Sequence, residues 1–194
     1  MNATTEIRIE EWRPAASQVG AVNAEIEMLA EILHAVVHGG ASVSFFTPFS
    51  IDEARSFWVE KVLPGVRSVA RRILVARTGM GNDAATEPID RIVGTVQLEL
   101  DMPPNQQHRA GVAKLLVHPD ARRRGVAKAL MHALQEIALS EGRTLLTLDT
   151  VTGSNAEMLY TSLGYVTSGV IPRFARGALT PDLESTTVMY KELE

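Results

Sequence analysis

The spacing of apolar residues divides the chain into short alternating segments and longer segments with helical periodicity. Residues 6–12 alternate in the manner of an edge strand. From Ala15 to Val37 the apolar residues recur every three or four positions, which predicts a helix. A shorter helix is predicted from Ile51 to Val62, and we expect it to end before Pro64 because proline lacks a backbone N–H. The first third of the chain therefore predicts one strand and two helices.

The rest of the chain alternates between predicted strands and helices. The strands are expected at residues 73–77, 92–100, 112–117, 145–148, 166–170 and 186–190. The helices are expected at residues 124–140 and 154–163, the second opening with the capping-box pattern Ser154-x-x-Glu157. Asp149 and Thr150 are expected at the end of the strand that begins at Leu145. The predicted order is β-α-α-β-β-β-α-β-α-β-β, an α/β chain that we expect to form a single domain over residues 1–194.

Composition and charge narrow the possible functions. The chain has 194 residues and no cysteine, which excludes disulfides, thiolate zinc sites and a cysteine nucleophile. The first residues lack the apolar core of a signal peptide, and no apolar run approaches the ~20 residues that span a bilayer. We therefore expect a cytoplasmic protein with no membrane partner. The formal net charge of −4 argues against nucleic acid as a partner, since such binding rests on neutralising phosphates.

The most informative segment runs from Val117 to Ala127, where a predicted strand passes through a basic turn into a helix. Arg122, Gly125 and Ala127 form the pattern Arg-x-x-Gly-x-Ala. Small residues at a helix start let a ligand approach backbone N–H groups that have no partner within the helix. The adjacent Arg123 and Arg124 add donors suited to phosphate oxygens. The segment predicts a pyrophosphate-binding loop, and the alternative is a solvated arginine face.

A second glycine-rich segment resembles a nucleotide-binding loop but is interpreted differently. Residues 79–84 match the pattern Gly-x-Gly-x-x-Ala of dinucleotide-binding proteins. That pattern requires a helix to begin at the loop, whereas Pro88 here precedes another predicted strand. We interpret residues 79–88 as a hairpin connection.

The element order and two motifs resemble the GNAT superfamily of acetyl-CoA-dependent N-acetyltransferases. The first motif is Arg-x-x-Gly-x-Ala, and the second is Ala156-x-x-x-Tyr160-x-x-x-Gly164-Tyr165, about one strand and one helix downstream. Four further segments are similar to the tabtoxin-resistance type of acetyltransferase: Val37-His38-Gly39-Gly40-Ala41-Ser42-Val43, Arg109-Ala110-x-Val112-x-Lys114-Leu115, Leu146-x-Leu148-Asp149-Thr150 and Gly153-Ser154-x-Ala156-Glu157. The resemblance implies a mixed, mostly antiparallel sheet with helices on both faces. It also implies a V-shaped opening between strands 112–117 and 145–149 that receives acetyl-CoA.

The resemblance also implies which residues bind acetyl-CoA. The backbone of Leu115, Leu116 and Val117 would pair with the pantetheine amides, much as an added strand pairs with a sheet edge. The pyrophosphate would accept N–H groups from Arg122 through Lys128, a segment that includes Val126. Many family members carry asparagine where this chain has Gly153, so Ser154 or Asn155 would make that contact with the cofactor. No metal is implied.

Acetyl transfer to an amine needs a group that removes a proton and a group that protonates the leaving thiolate. Asp149 is our first choice for binding the ammonium group and deprotonating it, and the alternative is a turn-forming aspartate. By resemblance Tyr160 is the general acid, and the alternative is a tyrosine that anchors its helix in the core. Relatives of the tabtoxin-resistance type usually carry an acidic residue where this chain has Gly111. Glu99 or Asp101 on the neighbouring strand would substitute for it.

The remaining expectations concern the acceptor and the kind of function. We expect His38, Ser42, Glu99 and residues 171–174 to shape the acceptor pocket, although His38 is equally compatible with capping its own helix. Without a cysteine or a recognisable Ser–His arrangement, direct transfer to a small-molecule amine is the favoured reaction. The alternative is a non-catalytic CoA-binding module, which the missing acid at Gly111 suggests. The chain is expected to be a monomer or a homodimer.

Overall fold

A seven-stranded sheet organises the computed structural model, which describes residues 7–14, 19–80 and 89–194. The sheet has the order β1-β2-β3-β4-β5-β7-β6, and every neighbouring pair is antiparallel except β4 and β5. The strands are β1 Ile7–Glu11, β2 Arg71–Met80, β3 Ile89–Glu99, β4 Arg109–Val117, β5 Leu145–Val151, β6 Val166–Arg176 and β7 Leu183–Glu192. The predicted mixed, mostly antiparallel sheet is confirmed, with β1 at one edge.

Helices cover both faces of the sheet and create two apolar cores. They are α1 Val19–His38, α2 Ile51–Ser56, α3 Leu63–Arg67, α4 Val126–Ser140 and α5 Asn155–Ser162. One core packs α1 and α2 against β2 and β3 around the fully buried Trp58. The other packs α4 and α5 against the opposite face around Leu130 and Leu134. None of the described helices is both long enough and apolar enough to cross a membrane.

The prediction that a helix ends before Pro64 is wrong. A π-helical turn over Phe57–Val62 follows α2, and the chain then continues as α3 with Pro64 in its first turn. In the wide turn the Leu63 N–H donates to the Trp58 carbonyl, five residues back. Proline disrupts a regular helix because it lacks an N–H and its ring meets the carbonyl four residues back. The wider turn places Pro64 near a helix start, where a missing N–H costs nothing.

Several predicted boundaries change, whereas the predicted strands and long helices are present. Strand β5 extends through Val151, so Asp149, expected at the strand end, lies two residues before it and pairs with Val188. Strands β2 and β3 pair as a hairpin up to Met80 and Ile89. Residues 81–84 of the glycine-rich pattern lie outside the described residues, as do residue 6 of the first predicted strand and residues 15–18 of the first predicted helix.

The V-shaped opening arises where β4 leaves β5. The two strands pair at only three positions, from Arg109 opposite Leu145 to Gly111 opposite Thr147. Just beyond, the β3–β4 register shifts, and Lys114 in the bulged segment has a φ of 50°. A bulge bends its strand and increases the local twist, so the second half of β4 diverges from β5. The opening therefore exposes the unpaired edge of β4.

Candidate active site

The helix that follows β4 begins without a side-chain cap. Gly125 is the N-cap of α4 and has a φ of 80°, in the left-handed region that glycine adopts at little cost. The first hydrogen bond of the helix runs from Ala129 N–H to the Gly125 carbonyl. The N–H groups of residues 126–128 therefore have no partner within the helix. A Cβ atom built on Gly125 would meet no other atom within 4 Å, so the approach to these N–H groups is open.

Basic side chains surround this helix start. A pocket of about 220 Å³ is bounded by Val117, residues 121–123 and residues 125–128 of the turn and helix, and by Leu159 of α5. Arg122 turns back so that its Nε donates to the Val117 carbonyl at 3.4 Å. Within the described part of the chain, none of the three arginines at 122–124 forms an ion pair. Cations at a helix N-terminus oppose its dipole, so this arrangement favours a bound anion over a merely solvated face.

A groove of about 440 Å³ continues from this pocket through the V. Residues 115–117 of β4 form one wall, and residues 150–151 of β5 with Ser154 and Asn155 form the other. The Ser154 hydroxyl accepts the Glu157 N–H, as a capping box requires, but Glu157 reaches back to the Gly153 N–H instead of the Ser154 N–H. Ser42, expected beside the acceptor, lines this groove. Of the residues predicted for the acetyl donor, this groove therefore brings together residues 115–117, Arg122, Ala127, Ser154 and Asn155.

A second pocket of about 380 Å³ lies on the other side of the β4–β5 junction. Its lining contains more charged side chains than the lining of the groove. This lining includes Glu99, Arg109, Thr147 and Asp149, together with the small residues Gly111 and Ala113 of β4. It also includes Ile171 and Phe174 of β6, as expected for the acceptor pocket. Asp149 is exposed, and its Oδ2 accepts the Thr186 hydroxyl at 2.9 Å. Asp101 lines a separate neighbouring pocket that also contains Glu99.

The carboxylate of Glu99 fills the space that a side chain at Gly111 would occupy. The two residues face each other in the β3–β4 register. A Cβ atom built on Gly111 would lie 3.2 Å from Glu99 Oε2. The other carboxylate oxygen accepts Arg71 Nη2 at 3.0 Å, which holds the side chain in place. An acidic group is therefore present at this point of the pocket, contributed by β3 instead of β4.

Tyr160 lies on α5 and is only 7% exposed. Its ring packs against Tyr165 with the centroids 5.6 Å apart. Burial raises the pKa of the Tyr160 phenol above its ordinary value of 10.0, and the nearby Asp149 carboxylate raises it further. The phenol therefore remains protonated at neutral pH. This burial fits both interpretations of Tyr160, as a proton donor and as a core anchor.

His38 contacts its own helix. Its Nδ1 lies 3.0 Å from the His34 carbonyl, and the two imidazole rings stack with centroids 4.1 Å apart. A ring nitrogen in this position donates to a carbonyl in the last turn of α1, where positive charge is favoured. The geometry therefore supports the capping interpretation over contact with the acceptor.

The sequence did not predict a function for two basic residues of β4. Arg109 lines the polar pocket, and Lys114 donates from Nζ to the Ser44 hydroxyl at 2.9 Å. Burial lowers the pKa of Lys114, whose ammonium lies 5.7 Å from the Phe57 ring centroid. Strand alternation was the available signal for Arg109, because residues 109, 111 and 113 share one face. The bulge that redirects Lys114 has no comparable sequence signature.

Comparisons with known proteins agree with the fold. A profile of the acetyltransferase (GNAT) domain matches residues 70–167, just over half of the chain. A GCN5-related N-acetyltransferase from Kribbella flavida is similar over 96% of this chain and 98% of its own, with 21% identity and a TM-score of 0.69. The yncA protein of Salmonella typhimurium, solved with its cofactor acetyl-CoA, is similar over 97% and 94%, with 16% identity and a TM-score of 0.68. A ribosomal-protein-alanine N-acetyltransferase from Brucella melitensis is similar over 96% and 99%, with 19% identity and a TM-score of 0.68. At these identities the similar structures show a shared fold.

Proposed function

Because the chain belongs to the GNAT family of acetyltransferases, which use acetyl-CoA as the acetyl donor, we propose that its acceptor is the primary amine of a small, amino-acid-like molecule. The observation that carries this proposal is the polar pocket beside the groove, which contains two carboxylates. Its volume of about 380 Å³ suits a small molecule better than a protein segment. Within the family we group the chain with the tabtoxin-resistance type, on the four segments that resemble it.

We propose that the donor lies along the groove with its diphosphate at the start of α4. The open N–H groups of residues 126–128, the N–H groups of residues 123–125 and the nearby guanidinium groups suit a diphosphate, whereas the Arg122 N–H already donates to the Pro119 carbonyl. Residues 115–117 offer the unpaired edge of β4 to the pantetheine amides, and Ser154 or Asn155 lies opposite. When bound, acetyl-CoA supplies an activated thioester. The protein supplies alignment and hydrogen-bond donors.

Asp149 is the proposed binding site for the acceptor ammonium and the group that collects its proton. An alkyl ammonium has a pKa near ~10.4 and is not nucleophilic until it loses a proton. The Asp149 carboxylate is exposed to the pocket, and among the described residues only a hydroxyl, that of Thr186, is its hydrogen-bond partner. Glu99 is the second carboxylate, and its ion pair with Arg71 holds it beside the proposed acceptor position. Since Glu99 supplies a carboxylate at this point, the absence of an acidic side chain at Gly111 no longer favours a non-catalytic CoA-binding module.

Tyr160 is the proposed donor of a proton to the leaving thiolate. A general acid must hold its proton at working pH, and burial together with Asp149 raises the pKa of this phenol. The same carboxylate that attracts the acceptor therefore also keeps Tyr160 protonated. Direct transfer from donor to acceptor requires no covalent enzyme intermediate.

The proposed function is tested by measuring CoA release with acetyl-CoA and a panel of small amines, amino acids and peptides. We expect turnover with one or more amino acids and none with peptides that are too large for the pocket. Tight acetyl-CoA binding without turnover on any amine would support a non-catalytic CoA-binding module instead. Acetylation confined to protein or peptide amines would overturn the small-molecule assignment.

The role of Tyr160 predicts that Tyr160→Phe lowers kcat by about 10²-fold with little change in acetyl-CoA affinity. Tyr165→Phe is the matched control, because this neighbouring phenol is also buried and its pKa is also raised by burial. Since the raised pKa of Tyr160 keeps its proton in place, kcat of the unmodified enzyme should show no alkaline loss from this group up to pH 10.0. Equal kcat values for the two variants would mean that Tyr160 has only a structural role.

Because the Glu99 carboxylate lies beside Gly111, we expect that an acid introduced at position 111 of β4 can replace it. Glu99→Ala should lower kcat/KM by about 10²-fold, and adding Gly111→Glu should restore part of that loss. The restoration is expected because the new side chain would enter the space that Glu99 fills. Gly111→Glu alone should also be impaired, since two carboxylates would compete for one space.

The control is Glu99→Ala with Ala113→Glu, an acid on the same pocket wall two residues further on. Rescue by both double variants, or by neither, would contradict a positional role for this carboxylate.

A further inference from the structure

The acceptor pocket contains one cation and one anion that form no ion pair within the described part of the chain. Glu99 is paired with Arg71, whereas Arg109 and Asp149 form no ion pair among the described residues. Both side chains line the same pocket. The Lys114 ammonium lies beyond ion-pair distance but acts electrostatically on both carboxylates, Glu99 before Asp149. A pocket with one unpaired charge of each sign is complementary to a molecule that carries both charges.

Neutral partners hold the guanidinium of Arg109 in place. Its Nη1 donates to the Thr147 hydroxyl at 3.1 Å, and its Nε donates to the Gln106 side-chain oxygen at 3.2 Å. Nη2 donates to the same Gln106 oxygen. A guanidinium has five N–H donors, so two remain after these three contacts. The group is thus positioned, charged and still able to bind a carboxylate.

The strand geometry orders the two charges along the pocket. Arg109 lies over Thr147, and Asp149 is two residues further along β5, toward Thr150 and Val151 in the donor groove. Residues two apart in a strand share a face and lie roughly 6.6 Å apart. The anion is therefore nearer the donor than the cation is. A separation of this size is bridged by a molecule whose amine and acid are close together, with one hydrogen bond at each end.

We propose that Arg109 binds the carboxylate of the acceptor, so that with Asp149 it selects a zwitterion acetylated on the amine nearest its carboxylate. This inference rests on the proposed function and specifies its acceptor. The carboxylate would lie at the Thr147 end of the pocket, and the amine would lie at Asp149, beside the groove. Esters, simple alkyl amines and amines far from a carboxylate would lose one of the two contacts.

The first test compares L-leucine with its methyl ester and with isoamylamine, which lacks the carboxylate, in the CoA-release assay. We expect the unmodified enzyme to prefer the free amino acid by about ten- to hundred-fold in kcat/KM, the range expected for losing a charge-assisted hydrogen bond. Arg109→Gln should remove this preference mainly by raising KM for the amino acid, and Arg109→Lys should retain part of it. An unmodified enzyme that treats all three alike, or an Arg109→Gln variant that retains the preference, would overturn the inference.

The second test uses L-lysine, which carries one amine beside its carboxylate and one far from it. The inference predicts Nα-acetyl-lysine as the main product, identified by mass spectrometry against both standards. Predominant Nε-acetylation would overturn it while leaving small-amine acetylation intact. Absence of turnover with every amine would instead count against the proposed function, so the two failures are distinguishable. Because these comparisons vary the acceptor, they remain decisive if Arg109→Gln fails to fold.

Discussion

The structure depends on a helix start that the chain leaves unsatisfied. Helix α4 begins at Gly125, whose left-handed backbone turns the chain and whose missing side chain can neither cap the helix nor block it. Unpaired N–H groups and a cluster of arginines at the positive end of a helix dipole are unfavourable together. In the proposed complex a bound diphosphate would offset both penalties, because it would accept the N–H groups and neutralise the positive charge. This turn would then be less stable without the donor and would bind it more tightly.

The sheet extends this helix start into a site with two sides. Strand β4 pairs with β5 at only three positions, and the bulge near Lys114 turns the rest of β4 away. The separated segment borders the groove, and the paired segment borders the polar pocket. Asp149 and Thr150 are consecutive residues of β5 that face these two spaces. Family membership follows from the sequence profile, and this geometry explains how a donor and an acceptor could meet between the strands.

Local patterns were sufficient to predict most elements, and they placed several of the proposed donor residues along one groove. The helix start at Gly125 and the strand at 112–117 are determined by residues close in sequence, so both elements could be predicted. The π-helical turn before Pro64, the helix cap at His38 and the position of Ser42 depend on contacts that sequence spacing does not encode. Glu99 is the clearest example, since only the β3–β4 register shows that it fills the space beside Gly111. Roles in catalysis remain predictions.

The central claim is that open N–H groups around Gly125 bind the diphosphate of acetyl-CoA. Its most direct test is calorimetric measurement of acetyl-CoA affinity for Gly125→Glu and Gly142→Glu. Both glycines have a left-handed φ and no atom within 4 Å of a built Cβ, and they lie at opposite ends of α4. Backbone strain is therefore matched, and only the first variant places bulk and negative charge at the proposed site. The account predicts that Gly125→Glu weakens binding by about 10²-fold or more while Gly142→Glu retains most of the affinity. Equal affinities in the two variants would contradict it.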